Sequence, residues 1–83
     1  MAPEKNFIAT FYSHFDALTF FNYLKGKKIK AKLMPVPRKV SASCGTCVSY
    51  ITDSDSEIDY TVSEIEAVYH ITADGLLVVF SNV

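Results

Sequence analysis

The chain is poor in the residue types on which several common sites depend, since its 83 residues include no tryptophan, three glycines and two cysteines. The sequence has no glycine-rich phosphate loop, no Ser-His-Asp arrangement and no paired carboxylates, which argues against the corresponding enzyme classes. No apolar run reaches the roughly 18 residues of a membrane span, and residues 1–5 lack the charged and apolar regions of a signal peptide. We therefore expect a cytoplasmic protein that has no membrane partner and needs no cofactor.

The length predicts one small domain that spans residues 1–83, with a core at about 6–72 and a C-terminal strand extension at 76–80. A chain this short buries only about 60% of its unfolded surface, so any site should be shallow. With 49% apolar residues, 20% charged residues and a net charge of -1, the composition is that of a globular protein rather than a disordered one.

Charge is distributed unevenly along the sequence. Seven of the eight basic residues fall between Lys25 and Lys39, and six of the nine acids fall between Asp53 and Glu66. Two interpretations stay open: these are solvated faces that keep the protein soluble, or the cations form a positive rim for an anionic substrate or an acidic protein. A pI near 6.0 argues against a nucleic-acid partner.

The first half of the chain predicts strand, helix, strand. Residues 6–12 are rich in aromatic and β-branched side chains, which favours a strand. Ser13 then precedes apolar residues at helical spacing, with Asp16 in the capping-box position, and Gly26 marks the end of this helix. Residues 29–36 alternate apolar and cationic side chains, which predicts a half-buried second strand.

The second half predicts strand, helix, strand and a final strand. Residues 47–52 form a third strand with Val48 and Tyr50 on one face, and the polar run 53–57 is typical of a helix start, supported by Ile58 and Val62. Residues 65–71 alternate with period two, and a turn at 73–75 leads into a fifth strand at 76–80.

This order predicts an α+β fold of the ferredoxin-like, split β-α-β-β-α-β type: an antiparallel sheet with two helices on one face, plus a C-terminal β extension. The second face would then be open. The aromatic residues exceed what so small a core needs, so they either cover that face, form a homodimer surface or fill a core built without tryptophan. The residues concerned are Phe11, Tyr12, Phe20, Tyr23, Tyr50 and Phe80.

The two cysteines, Cys44 and Cys47, follow a proline-rich basic segment at 35–39 and are the candidate reactive groups. A thiol that is exposed near cations ionises more easily than a buried one. The small residues Ser43 and Gly45 leave the Cys44 sulfur open to approach, and amides of a turn that begins at Gly45 would favour its anion. Arg38 and Lys39 would add positive charge, so we predict that Arg38, Lys39, Ser43 and Gly45 are binding residues around Cys44.

Two motifs carry a family resemblance: Pro35-Val36-Pro37-Arg38, and Ser41-Ala42-Ser43-Cys44-Gly45. Together with the helix start at 13–17, they resemble the family of small bacterial domains described as selenium/sulfur carrier-like proteins, over residues 6–71. The resemblance implies a cytosolic protein that carries sulfane sulfur or selenium on Cys44, as a carrier or accessory protein rather than a turnover enzyme. Its partners would be a cysteine desulfurase-type donor and a sulfur acceptor protein. The chain departs from the family at Cys47, where an aliphatic or small residue is expected, and in a shorter second helix.

Cys47 leaves a second function open. As a resolving thiol it would attack a persulfide on Cys44, release sulfide and leave a disulfide, which is thiol-disulfide redox chemistry. In a helical turn the two side chains would be neighbours, whereas in an extended strand residues three apart lie about 10 Å from each other and cannot be bridged. Because Cys47 begins the predicted third strand, we expect two independent thiols.

Two further interpretations are weaker. A closed zinc site needs four ligands, and the chain adds only His14 and His70 to its two thiols, both far away in sequence, so we expect no metal. We expect His14 in the first turn of the helix and His70 on an exposed strand face. A non-catalytic interaction module is the third candidate, because the ferredoxin-like plan serves many unrelated functions.

Overall fold

The computed structural model describes residues 4–40, 42–53 and 58–82 and contains five strands and one helix in these ranges. The strands and the helix follow the order predicted from hydrophobic periodicity up to the third strand. Their bounds are β1 (Lys5–Phe11), α1 (His14–Gly26), β2 (Lys30–Pro35), β3 (Thr46–Thr52), β4 (Ile65–Thr72) and β5 (Gly75–Ser81).

The strands form a single sheet in the order β2-β3-β1-β4-β5, in which all neighbours are antiparallel. The central strand β1 pairs with β3 on one side and with β4 on the other, so that Thr10 lies opposite both Cys47 and Ala67. β2 and β5 are the two edges. The final strand, expected at 76–80, extends the sheet by a hairpin with β4 in which Thr72 pairs with Gly75.

The prediction of a ferredoxin-like fold with two helices is wrong. Residues 54–57, where the second helix was expected to begin, lie outside the described residues, and residues 60–64 form turns instead of a helix. The Asp59 carboxylate accepts hydrogen bonds from the Thr61 backbone and hydroxyl, and these bonds lower the pKa of Asp59. Such local side-chain bonds compete with helical ones, and the Asp59 amide is taken by the Tyr23 hydroxyl, 2.9 Å away.

Helix α1 begins as its sequence predicts. The Ser13 hydroxyl accepts a hydrogen bond from the Asp16 amide at 3.2 Å and donates one to the Asp16 carboxylate at 2.7 Å. This arrangement satisfies an amide that would otherwise lack a partner in the first helical turn. It also fixes where the helix starts, with only Tyr12 and Ser13 between the end of β1 and the first helical residue.

The end of α1 differs from the prediction, because Gly26 is the last helical residue rather than the left-handed residue that follows. Lys28 takes that conformation, with φ of 63°. The Ile29 amide donates to the Leu24 carbonyl and the Lys28 amide to the Lys25 carbonyl, both at 3.0 Å, which is the Schellman pattern. A residue with a side chain therefore occupies a conformation that glycine adopts without steric cost.

The core lies between α1 and one face of the sheet. Phe20 is fully buried there, and its ring packs on Phe11 at 5.6 Å and on Tyr50 at 5.8 Å between centroids. On the β5 side of this face, Ile58 is buried and the Tyr60 ring packs on Phe80 at 5.1 Å. Most of the aromatic residues thus fill the core, although Tyr12 is 43% exposed.

The opposite face of the sheet is not open over β1 and β3, because Ile8, Thr10 and Cys47 are buried there. The connection between β2 and β3, described at residues 36–40 and 42–45, explains this burial. Its Val40 side chain is buried, and its Ser43 is hydrogen bonded to Glu66 in β4. We refer to this segment as the β2–β3 connection.

The far end of the β2–β3 connection lies beside the β4–β5 hairpin. Lys39 lines a surface pocket of about 210 Å³ together with residues of that hairpin, among them Ile71 and Leu76. The connection therefore leaves one edge of the sheet, reaches the strand on the far side of β1 and returns to start β3. Within the described ranges, no helix is long and apolar enough to span a membrane.

Replacing Lys28 by glycine should stabilise the protein, because glycine removes the steric cost of the left-handed conformation. We expect the free energy of unfolding of Lys28→Gly to rise by about 1 kcal/mol in urea titrations. Lys27→Gly is the matched control, since it removes the same charge from a residue with an ordinary φ of -89°. Equal effects of the two substitutions would contradict the assignment of the helix end.

Candidate functional site

The register of β3 separates the two thiols. Cys47 lies inside the ladder, opposite Thr10 of β1 and Met34 of β2. The last pair of the β2–β3 ladder joins Pro35 to Thr46, so Cys44 lies two residues beyond the paired region. The two side chains consequently have different environments, although only two residues separate them in the sequence.

Cys44 is the accessible thiol. Its side chain is partly exposed, and the Thr46 amide donates a hydrogen bond to the Cys44 sulfur at 3.4 Å. An N–H donor directed at sulfur stabilises the thiolate more than the thiol. Gly45, between these two residues, is exposed and has no other group within 4 Å of the position where a side chain would begin. The sulfur is therefore both approachable and in contact with one backbone donor.

Cys47 is the sealed thiol. Its side chain has no exposed surface, and its sulfur donates to the Pro35 carbonyl at 3.7 Å. Burial, and to a smaller extent the negative charge of the Cys44 thiolate, raise the pKa of Cys47 to about 11. At neutral pH this group stays protonated, and the thiol is a much weaker nucleophile than the thiolate. Both cysteines are free.

Ser43 holds the chain on the N-terminal side of Cys44. Its amide donates to one oxygen of the Glu66 carboxylate at 3.0 Å and its hydroxyl donates to the other at 2.8 Å. Both bonds involve a charged acceptor, which makes them stronger than neutral ones. The Gly45 carbonyl accepts from the Val36 amide at 3.0 Å, which joins the two ends of the β2–β3 connection. Ser43 and Gly45, predicted as binding residues, thus support the backbone on either side of Cys44.

Arg38 and Lys39, the two cations predicted to lie near the sulfur, are exposed residues of a turn in the β2–β3 connection. The turn is closed by a bond of 3.0 Å from the Val40 amide to the Pro37 carbonyl. Lys39 lies beside the β4–β5 hairpin, and the hydrogen bond that Cys44 receives comes from Thr46. The Thr46 amide is the electrostatic contact that the structure gives at the sulfur, and the role of Arg38 and Lys39 as binding residues stays a prediction.

One residue of the site was missed by the sequence reasoning. His14, assigned only to the first turn of α1, has its ring Nδ1 3.2 Å from the Thr46 hydroxyl oxygen. The strand pairing contains a signal for this contact, because the end of β1 meets the start of β3 in an antiparallel pair and only two residues separate β1 from α1. The expectation for His70 was wrong: it is half-buried, and its ring packs on Phe7 at 5.1 Å.

The site has little capacity for a metal ion. Across residues 4–40, 42–53 and 58–82, no three side chains of the His, Cys, Asp and Glu types are grouped in a way that could hold one. The Cys44 sulfur contacts the Thr46 amide, and the Thr46 hydroxyl is paired with the His14 ring. This arrangement suits an accessible nucleophile.

The raised pKa of Cys47 predicts a loss of stability in alkali. An unfolded chain releases this proton near the ordinary value of 9.0 and the folded protein only near 11, so unfolding becomes more favourable as pH rises through this window. The difference in free energy of unfolding between the wild type and Cys47→Ala should be constant below pH 9. Between pH 9 and 11 the wild type should lose roughly 2 kcal/mol relative to this variant.

The control for this measurement is Cys44→Ser, which should keep most of that fall, since burial is the larger cause of the shift. Unfolding by urea at a series of pH values gives all three curves. Parallel curves for the wild type and Cys47→Ala would show that Cys47 is not a desolvated thiol.

The comparison with known families assigns the chain. A family model described as "Putative Se/S carrier protein-like" matches residues 6–71, which is 66 of the 83 residues. No curated protein and no solved structure matches the chain. The match covers β1, α1, β2, the β2–β3 connection, β3 and most of β4, and it ends before β5. The chain therefore belongs to this family of selenium/sulfur carrier-like proteins.

Proposed function

We propose that the protein carries sulfane sulfur or selenium as an adduct on the Cys44 sulfur. The observation that supports this most directly is the contrast between the two thiols: Cys44 is partly exposed and receives the Thr46 amide, whereas Cys47 is sealed and protonated. The family description points to the same class of function. The donor would be a cysteine desulfurase-type protein and the acceptor a second protein thiol, both in the cytoplasm.

The transfer needs one nucleophile and no external oxidant. The Cys44 thiolate attacks the outer sulfur of a donor persulfide, a new sulfur–sulfur bond forms, and the bond to the donor's inner sulfur breaks. The donor leaves as a thiolate and Cys44 becomes a persulfide, so electrons and sulfur atoms balance. An acceptor thiolate then repeats the exchange on the outer sulfur of Cys44. The Thr46 amide stabilises negative charge on the Cys44 sulfur, both when it attacks and when it leaves.

A carrier must also keep its cargo. A thiolate that attacked the inner sulfur of a Cys44 persulfide would release hydrosulfide and form a disulfide. Cys47 is the nearest thiol in the sequence, and a pKa of about 11 leaves only about one molecule in a thousand ionised at pH 8. Its proton is, in addition, donated to the Pro35 carbonyl. Both features favour storage of sulfur over its loss as sulfide.

Thiol-disulfide redox chemistry is the second candidate function. Its support is the position of the two thiols on either side of Thr46, since Cys47 follows directly and Cys44 precedes by two residues. Formation of the disulfide would need Cys47 to leave the interior of the sheet and lose its bond to Pro35. This change would disrupt the pairing at the start of β3, so we rank this function below the carrier.

Incubation with a cysteine desulfurase and cysteine, followed by intact-mass measurement, tests the proposal. We expect a mass gain of one sulfur on the wild type that reducing agent removes. Cys44→Ser should gain nothing, while Cys47→Ala should load to the same extent as the wild type and hold the sulfur for as long. The control variant differs from the wild type only at the sealed thiol.

Two outcomes would decide against the carrier. Sulfur that appears on Cys44→Ser as readily as on the wild type would show that Cys44 is not the acceptor. Rapid conversion of the loaded wild type to a Cys44-Cys47 disulfide, prevented in Cys47→Ala, would favour the redox function instead.

A further inference from the structure

We propose that His14 is a positioning residue for Cys44 and acts through Thr46. The inference deepens the proposed carrier function and rests on it for its biological role. Two hydrogen bonds join the three residues: one between the His14 ring and the Thr46 hydroxyl at 3.2 Å, and one from the Thr46 backbone amide to the Cys44 sulfur at 3.4 Å. The imidazole is thus one residue removed from the reactive atom.

Thr46 is well placed to transmit the orientation of His14. Its hydroxyl and its amide belong to the same residue, and its β-branched side chain has few rotamers, so a bond that holds the hydroxyl also restricts the direction of the amide. Thr46 is the first residue of β3, and its pairing with Pro35 is the last in that ladder. At such an end the backbone has partners on one side only.

His14 is a rigid point of attachment. It is the first residue of α1, directly after the N-cap residue Ser13, and the helix is packed against β1, β2 and β3. The ring itself is exposed, and core packing gives no other reason for its position over Thr46. In this arrangement the imidazole ties the start of the helix to the start of the strand.

The segment that carries Cys44 therefore has an anchor at each end. On the N-terminal side, Ser43 is bound to Glu66 of β4, and on the C-terminal side Thr46 is bound to His14 of α1. Between them, the Gly45 carbonyl accepts a hydrogen bond from the Val36 amide at 3.0 Å. The geometry of the sulfur therefore depends on the two side-chain anchors together with this backbone bond.

The consequence is chemical as well as structural. Without the imidazole, the Thr46 hydroxyl turns to solvent and the amide spends less time directed at the sulfur. The thiolate then loses part of its stabilisation, and Cys44 reacts more slowly with any electrophile. The effect should appear with a small reagent, because it does not depend on a protein partner.

The test is the rate at which iodoacetamide alkylates Cys44 at pH 7, measured in Cys47→Ala so that a single thiol is present. We expect His14→Ala to react about three- to tenfold more slowly, the range of one lost hydrogen bond. His14→Asn should restore most of the rate, because its side-chain amide can reach the same hydroxyl. Asn22→Ala, at an exposed site of α1, is the control for helix substitution and should leave the rate unchanged.

A double-mutant cycle separates positioning from a general effect on folding. Thr46→Val removes the hydroxyl and keeps the backbone amide, so it should slow alkylation as His14→Ala does. If His14 acts through that hydroxyl, the double variant should be no slower than either single variant. The chemical shift of the Thr46 amide proton in nitrogen-resolved NMR spectra should change in His14→Ala and return in His14→Asn.

An unchanged rate in His14→Ala, or effects of the two substitutions that simply multiply, would overturn the inference. Its failure is distinguishable from that of the carrier function, because alkylation needs no sulfur donor. If the wild type loads sulfur on Cys44 but the alkylation rate of His14→Ala is unchanged, only the positioning role is wrong. If the wild type takes up no sulfur but the double-mutant cycle shows that His14 and Thr46 are coupled, only the carrier role is wrong.

Discussion

The antiparallel pairing of β1 with β3, in the register that sets Thr10 opposite Cys47, is the constraint on which the site depends. It places Cys47 inside the sheet, where its sulfur is desolvated, and leaves Cys44 beyond the end of the ladder. Because the end of β1 meets the start of β3, the same pairing brings the first residue of α1 over Thr46. A shift of one residue in this register would exchange the faces of the strand and turn Cys47 toward the side of the sheet that α1 covers.

The β2–β3 connection fixes the surroundings of Cys44 at the end of this ladder and leaves its thiol partly exposed. A tight hairpin would have given Cys44 no defined surroundings, whereas this longer segment crosses the sheet, buries Val40 and binds Glu66 through Ser43. Pro35 and Pro37 end β2 and favour an extended path away from it. The segment thus covers the face that α1 leaves free, and it returns to the sheet at the residue that donates to the Cys44 sulfur. Covering the sheet and holding the thiol are two effects of one piece of chain.

Local patterns in the sequence predict most of the elements but not how they are completed. The alternation in 65–71 and the cap at Ser13 and Asp16 are strong local signals, and the structure has β4 and α1 at these places. The second helix was predicted from the helical spacing of Ile58 and Val62. This prediction is wrong because the hydrogen bonds between Asp59 and Thr61 favour a turn. Hydrophobic spacing alone does not show whether helical backbone bonds or local side-chain bonds form.

The site could be predicted only as far as neighbours in the sequence define it. Cys44 and Cys47, and the assignment of Cys47 to a strand, follow from the motif and from the β pattern. The roles of His14 and Glu66 depend on strand order, because each lies more than twenty residues from its partner. Arg38 and Lys39 are close to Cys44 in the sequence, but the crossing of the β2–β3 connection carries Lys39 to the β4–β5 hairpin.

The most direct test of the account is the rate of alkylation of each cysteine in the native protein, resolved by peptide mass spectrometry. We expect Cys44 to be modified quickly near neutral pH and Cys47 to be modified only after urea unfolds the protein. Comparable native rates at the two thiols, or a Cys44 that is the slower of the two, would contradict the division between an accessible and a sealed sulfur.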